Sequence, residues 1–103
     1  MNFNKKLPIK YITDVYKLTQ DFPSNEIDII YSIIQEIKRV RRSKKNWDIN
    51  DFTFSIELLK SIFDNTIIDL HLEELISKSY ISYDEESLLY KIELEGLKLI
   101  YEL

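Results

Sequence analysis

The segment LISKSYISYDEESLLYKIELEGL, residues 75–97, holds two short alternating runs on either side of an acidic turn. Tyr80 to Tyr83 alternates as a half-buried strand does, and Leu89 to Ile92 returns in the same manner. Asp84, Glu85, Glu86 and Ser87 supply the turn, so residues 80–93 are expected to form a β-hairpin. Beyond it, Leu94 to Leu103 closes the chain with a terminal helix of one or two turns.

Working back from the hairpin, Thr66 and Asp69 fit a capping box that opens a helix over about 66–79. Ile68, Leu72, Leu75 and Ile76 form its apolar face. Asp64-Asn65 reads as a turn, and Ser55 as the cap of a preceding helix, so residues 55–79 hold two helices joined by a short turn. Phe52-Thr53-Phe54 alternates as a short strand.

Further upstream lies the longest periodic run. Ser24 is a good N-cap, and Ile27, Ile30, Tyr31, Ile34, Ile37 and Lys38 follow at helical spacing, predicting a helix over 24–43. Residues 43–51 read as a polar connection around Trp47. Residues 9–20 suit a short helix, with a strand left open by their β-branched content, and Phe22-Pro23 breaks that pattern. Residues 1–8 read as a flexible arm ending at Pro8.

A chain of 103 residues has the length of one domain, and 45% hydrophobic residues are enough to fold it unaided. With no cysteine, disulfides and thiolate metal sites are excluded. No apolar run reaches the roughly 18 residues of a membrane span, and no secretory signal opens the chain, so a cytoplasmic protein is expected. One glycine, Gly96, excludes a glycine-rich phosphate loop, and no Ser/His/Asp or Cys/His set is readable. Glu73 and Glu74 are adjacent and diverge around a helix, so they do not pair as catalytic carboxylates. His71 stands alone, without partners for a metal. The expectation is a non-enzymatic protein without cofactor or metal.

The order helix, strand, two helices, strand, turn, strand resembles the winged helix-turn-helix superfamily. The resemblance covers residues 52–102 and is carried by Leu75, Lys78, Ser79, Tyr80 and Ile81 at the end of the second helix of the motif. Tyr90, Ile92, Glu95, Gly96, Leu97, Leu99 and Ile100 carry it at the return strand and last helix. Ser79 departs from the pattern, which usually has glycine there. The run from Leu18 to Phe54 is similar to the first winged-helix domain of theta-type plasmid replication initiators. That likeness rests on Asn25-Glu26, Ile30 to Ile34, Ile37-Lys38 and Phe52 to Ser55. In size the chain also resembles small accessory DNA-binding proteins of plasmids and phages. The resemblance implies an α+β fold: a single winged helix-turn-helix domain with an N-terminal helical extension and a C-terminal β-hairpin wing. It implies a sequence-recognising DNA-binding protein of a plasmid or phage-like element, acting in replication, transfer or transcription control.

Charge gives the candidate site. The net charge is −4, yet Lys38, Arg39, Arg41, Arg42, Lys44 and Lys45 place six cations within eight positions. Such a tract suits phosphate contact on double-stranded DNA, and its alternative is a solvated helix end favoured by the dipole. In a winged helix the second helix of the motif normally enters the major groove, which presents Thr66 and His71 to DNA. The rest of that surface is acidic: from Asp64 onward ten acidic residues face three basic ones. Ile67, Asp69, Leu70 and Glu73 with Glu85 and Glu86 of the turn therefore form an alternative site, for a basic protein partner. Tyr11, Tyr16, Phe22, Tyr31 and Trp47 are either core residues or the face of a homodimer suited to two half-sites.

Overall fold

The computed structural model describes residues 3–4, 26–63 and 65–103, with the backbone alone at 65–68 and 70. These residues form a small α+β domain of four α-helices and a three-stranded antiparallel sheet. The helix or strand expected over 9–20, the Ser24 cap and most of the flexible arm lie outside the described residues.

Helix α1, Glu26–Val40, has Glu26 and Asp28 in its first turn and Lys38 and Arg39 in its last, each sign at the end the helix dipole favours. Ile29, Ile30, Ile33, Ile34 and Ile37 are buried along it, joined by Tyr31, Ser32 and Glu36. The helix ends at Val40, short of the expected residue 43, and the chain turns through Arg41 to Ser43. The turn brings Trp47 back onto Phe52, with ring centroids 5.2 Å apart.

A single 3-10 turn, Ile49–Asp51, follows. Asp48 and Asp51 close it reciprocally: the Asp48 amide donates to Asp51 Oδ2 at 2.7 Å and the Asn50 amide to Asp48 Oδ1 at 3.2 Å. Strand β1, Thr53–Phe54, leads into α2, Ile56–Ile62, where Ser55 Oγ accepts the Leu58 amide at 3.3 Å as the cap expected from sequence.

Helix α3, Asn65–Ser77, begins one residue ahead of Thr66. Thr66 therefore lies inside the first turn, and the Thr66 side chain of the expected Thr66–Asp69 box lies outside the described residues. Its end is a Schellman motif. The Tyr80 amide donates to the Leu75 carbonyl and the Ser79 amide to the Ile76 carbonyl, both at 3.0 Å, with Ser79 at φ 62°. Leu72 and Leu75 are buried as expected, but Ile76 is not, because the last turn of α3 runs past the edge of the core.

Strands β2, Ile81–Asp84, and β3, Leu89–Ile92, make the expected hairpin. The sheet order is β1-β3-β2, with Thr53 opposite Lys91 and Phe54 opposite Tyr90. Ile81 pairs with Ile92 and Tyr83 with Tyr90. Strand alternation puts Phe54, Ile81 and Ile92 on the core face and Thr53, Ser82 and Lys91 on the other. Helix α4, Leu94–Leu97, is a single turn and not a helix to residue 103. Leu97 and Ile100 are buried, and Tyr101 turns inward to meet Phe3 edge-on at 5.2 Å. The Glu102 amide then donates to the Asn4 carbonyl at 2.8 Å, so Phe3 is docked on the core and Asn4 is tied to the C-terminal end instead of both belonging to a loose arm.

Candidate nucleic-acid interface

The six cations of residues 38–45 do not share one environment. Trp47 gathers three of them. Arg41 lies 5.3 Å from its ring centroid, Lys38 5.6 Å and Lys44 5.9 Å, and Lys38 also stands 5.3 Å over the Tyr101 ring. A cation over an aromatic face is attracted by the ring quadrupole, by about 0.5–1 kcal/mol at an exposed site. Arg41 Nη1 also donates to the Asp51 carbonyl at 2.8 Å, and Lys44 Nζ pairs with the Asp51 carboxylate at 3.4 Å. The Asp48 amide bonded to that carboxylate, with the Lys44 and Arg41 charges beside it, holds the Asp51 carboxyl below the usual carboxylate range.

The remaining three point outward. Arg39 is exposed and pairs with the buried Glu36 one turn back in α1. Arg42 and Lys45 are exposed, and neither side chain has a hydrogen bond or ion pair among the described residues. A further cation joins the tract from far along the chain: Lys91 Nζ donates to Asn50 Oδ1 at 2.8 Å. The sequence tract gave no sign of Lys91, which arrives through the pairing of β3 with β1. Trp47 was visible as a feature of the connection, but its role as organiser depends on the Phe52 contact.

The alternative surface lies elsewhere. Asp69 and Glu73 of α3 are exposed, as is Glu74, and His71 is half-buried. Thr66, Ile67 and Leu70 belong to α3, with side chains outside the description. Glu85 and Glu86 are exposed in the hairpin loop. Asp84 shapes that loop: Ser87 Oγ donates to its carboxylate at 2.9 Å and the Glu86 amide at 3.1 Å, which lowers the Asp84 pKa, the Ser87 bond most. Beside α3 and the hairpin, Tyr90 stacks on Phe54 at 5.4 Å and meets Tyr83 at 4.7 Å. Burial raises the Tyr90 pKa, with the Tyr83 and Asp69 charges adding to it.

Of the aromatics expected either in the core or at a dimer face, Tyr31 is buried in the core and Trp47 half-buried in the cation cluster. Tyr11, Tyr16 and Phe22 lie outside the described residues. Among the described residues, no group of three or more His, Cys, Asp or Glu side chains is placed to hold a metal, and no helix is long and apolar enough to cross a membrane. No family model, no curated protein and no solved structure matches the chain.

Proposed function

We propose that this chain is a non-enzymatic winged helix-turn-helix domain that grips double-stranded DNA by its phosphates, through the outward cations of residues 38–45. The order of elements and the β1-β3-β2 sheet agree with the winged-helix reading. The observation that carries the DNA reading is the division of labour in the tract. Lys38, Arg41 and Lys44 are held against Trp47, and this fixes the backbone from which Arg42 and Lys45 project without partners among the described residues. Phosphate-binding cations on a rigid base lose less conformational entropy on binding than cations on a loose segment.

The pose differs from the usual one. Helix α3 would bring Asp69, Glu73 and Glu74 against the phosphate backbone, where like charges repel. DNA therefore lies along the C-terminal end of α1 and the 41–51 connection, with Lys91 at its margin. Contact of this kind is directed to the backbone and depends weakly on sequence. The likeness to plasmid initiators is the support for a role on a plasmid or phage-like element.

Fluorescence anisotropy with an AT-rich duplex tests the reading. The full chain binds at low salt, and Arg39→Ala/Arg42→Ala/Lys45→Ala abolishes binding while the circular dichroism spectrum is unchanged. Equal binding by that variant, or no binding by the parent at low salt, overturns it.

A further inference from the structure

Away from the basic tract, an open groove runs between the last turn of α3, the hairpin and α4. Its apolar residues Ile76, Tyr83 and Leu94 are 41%, 43% and 39% exposed. Glu85, Glu93 and Glu95 line the same groove; Glu93 accepts from Ser82 Oγ at 2.6 Å and Glu95 pairs with Lys98 Nζ at 3.4 Å, while the Glu85 side chain has no hydrogen bond or ion pair among the described residues. Three apolar side chains in a carboxylate-lined groove suit an apolar residue flanked by cations, by shape and by charge.

The opposite end of the molecule carries the complementary chemistry. Val40, the last residue of α1, is 60% exposed, and Arg42 and Lys45 follow it with no partners among the described residues. A chain cannot bring these two surfaces together within itself. Lys78, at the end of α3 beside the groove, is ion-paired to Glu26 at the start of α1. The 15 residues of α1 then carry Val40 about 21 Å away, at 1.5 Å rise per residue. The tract also sits by β1 and the groove by β2, at opposite edges of the sheet.

We infer that the groove receives the Val40 end of a second copy of this chain, Val40 entering between Ile76, Tyr83 and Leu94 while Arg42 and Lys45 face Glu85 and Glu95. The contact is head-to-tail, so each copy still offers one free groove and one free knob. Assembly of that kind runs on into chains or closes as a ring; it does not stop at a two-fold dimer. Because Arg42 and Lys45 serve it, it competes with any anion on the tract, and it stands whether or not that anion is DNA.

Sedimentation of the full chain tests this. The weight-average mass rises with concentration above the 12.4 kDa monomer without levelling at a dimer, and returns to the monomer value at high salt. R42E/K45E and E85K/E95K each stay monomeric, and mixing the two restores association that again runs past one copy of each. In that mixture the native tract of one variant meets the native groove of the other and the reversed tract meets the reversed groove, so both contacts are complementary, whereas within either variant alone like charges meet. Val40→Ser, a change without charge, weakens association of the parent and serves as a second probe if a charge variant fails to fold. A parent chain that stays at 12.4 kDa at every concentration overturns the inference. So does a closed dimer indifferent to both charge variants. A monomeric parent whose groove binds a lysine-rich peptide carrying a leucine, with loss in E85K/E95K, would assign the groove to a foreign basic partner and equally overturn it.

Discussion

Arg41 donates from Nη1 to the backbone carbonyl of Asp51 at 2.8 Å while its guanidinium lies over the Trp47 ring. One side chain thus ties the end of α1 to the turn that precedes β1. Its neighbour Arg42 makes no such tie. Two adjacent arginines therefore separate stability from function, and the separation is measurable.

Arg41→Ala removes a charged donor from a backbone carbonyl and a cation from an aromatic face. A loss of about 2 kcal/mol follows, since hydrogen bonds to charged groups contribute about 1.5–3 kcal/mol. Arg42→Ala stays within about 0.5 kcal/mol of the parent, as exposed substitutions do. Urea denaturation of both variants, compared at equal m, checks the contrast.

Ser79 occupies the left-handed position of the Schellman motif, at φ 62°. A side chain there costs about 1–2 kcal/mol, which glycine avoids. Glycine gives back part of that gain through its freer unfolded chain, so Ser79→Gly stabilises the fold by about 1 kcal/mol, read as a raised denaturation midpoint. An unchanged or lowered midpoint would show that the turn is held by something other than backbone conformation.

Gly96 sits under the Tyr80 backbone. A Cβ added there would press on the Tyr80 carbonyl oxygen, 3.1 Å from its carbonyl carbon and 3.0 Å from Ile92 Cγ2. The Tyr80 carbonyl cannot swing away freely, because it accepts the Glu93 amide at 2.9 Å. Gly96→Ala therefore destabilises by about 1–3 kcal/mol, the usual cost of overpacking, in a thermal or urea unfolding series.

Tyr101 gives a pH dependence. Burial, with Tyr31 beside it, pushes its phenol up to about 12 from the ordinary 10.0. In that window the unfolded chain releases a proton that the fold retains. The contribution of Tyr101 is therefore complete below pH 10 and declines as pH rises through about 12. Tyr101→Phe flattens this decline in urea midpoints measured across the alkaline range, and an unchanged slope would place the titration elsewhere.

Local chemistry was legible in the sequence and distant contacts were not. The hairpin and the Ser55 cap depend on residues a few positions apart, and both formed where the pattern put them. Helix α4 stopped early because Tyr101 turns in to meet Phe3, a partner nearly the whole chain away. Helical spacing placed Ile76 with Leu72 and Leu75, but spacing does not say where the core ends. The basic tract was plain as a run of residue types. Its division into clamped and outward cations was not, because it turns on the Trp47 ring settling against Phe52. Lys91 entered through strand pairing.

The most direct test of the central claim is the salt dependence of duplex binding, compared between the parent chain and Arg42→Ala/Lys45→Ala. Each phosphate neutralised adds about −0.9 to the slope of log K against log salt. Three outward cations predict a slope near −2.7, and removing two of them predicts about −0.9, with the dichroism spectrum unchanged. Equal slopes for parent and variant, or a parent affinity that ignores salt, would contradict the account.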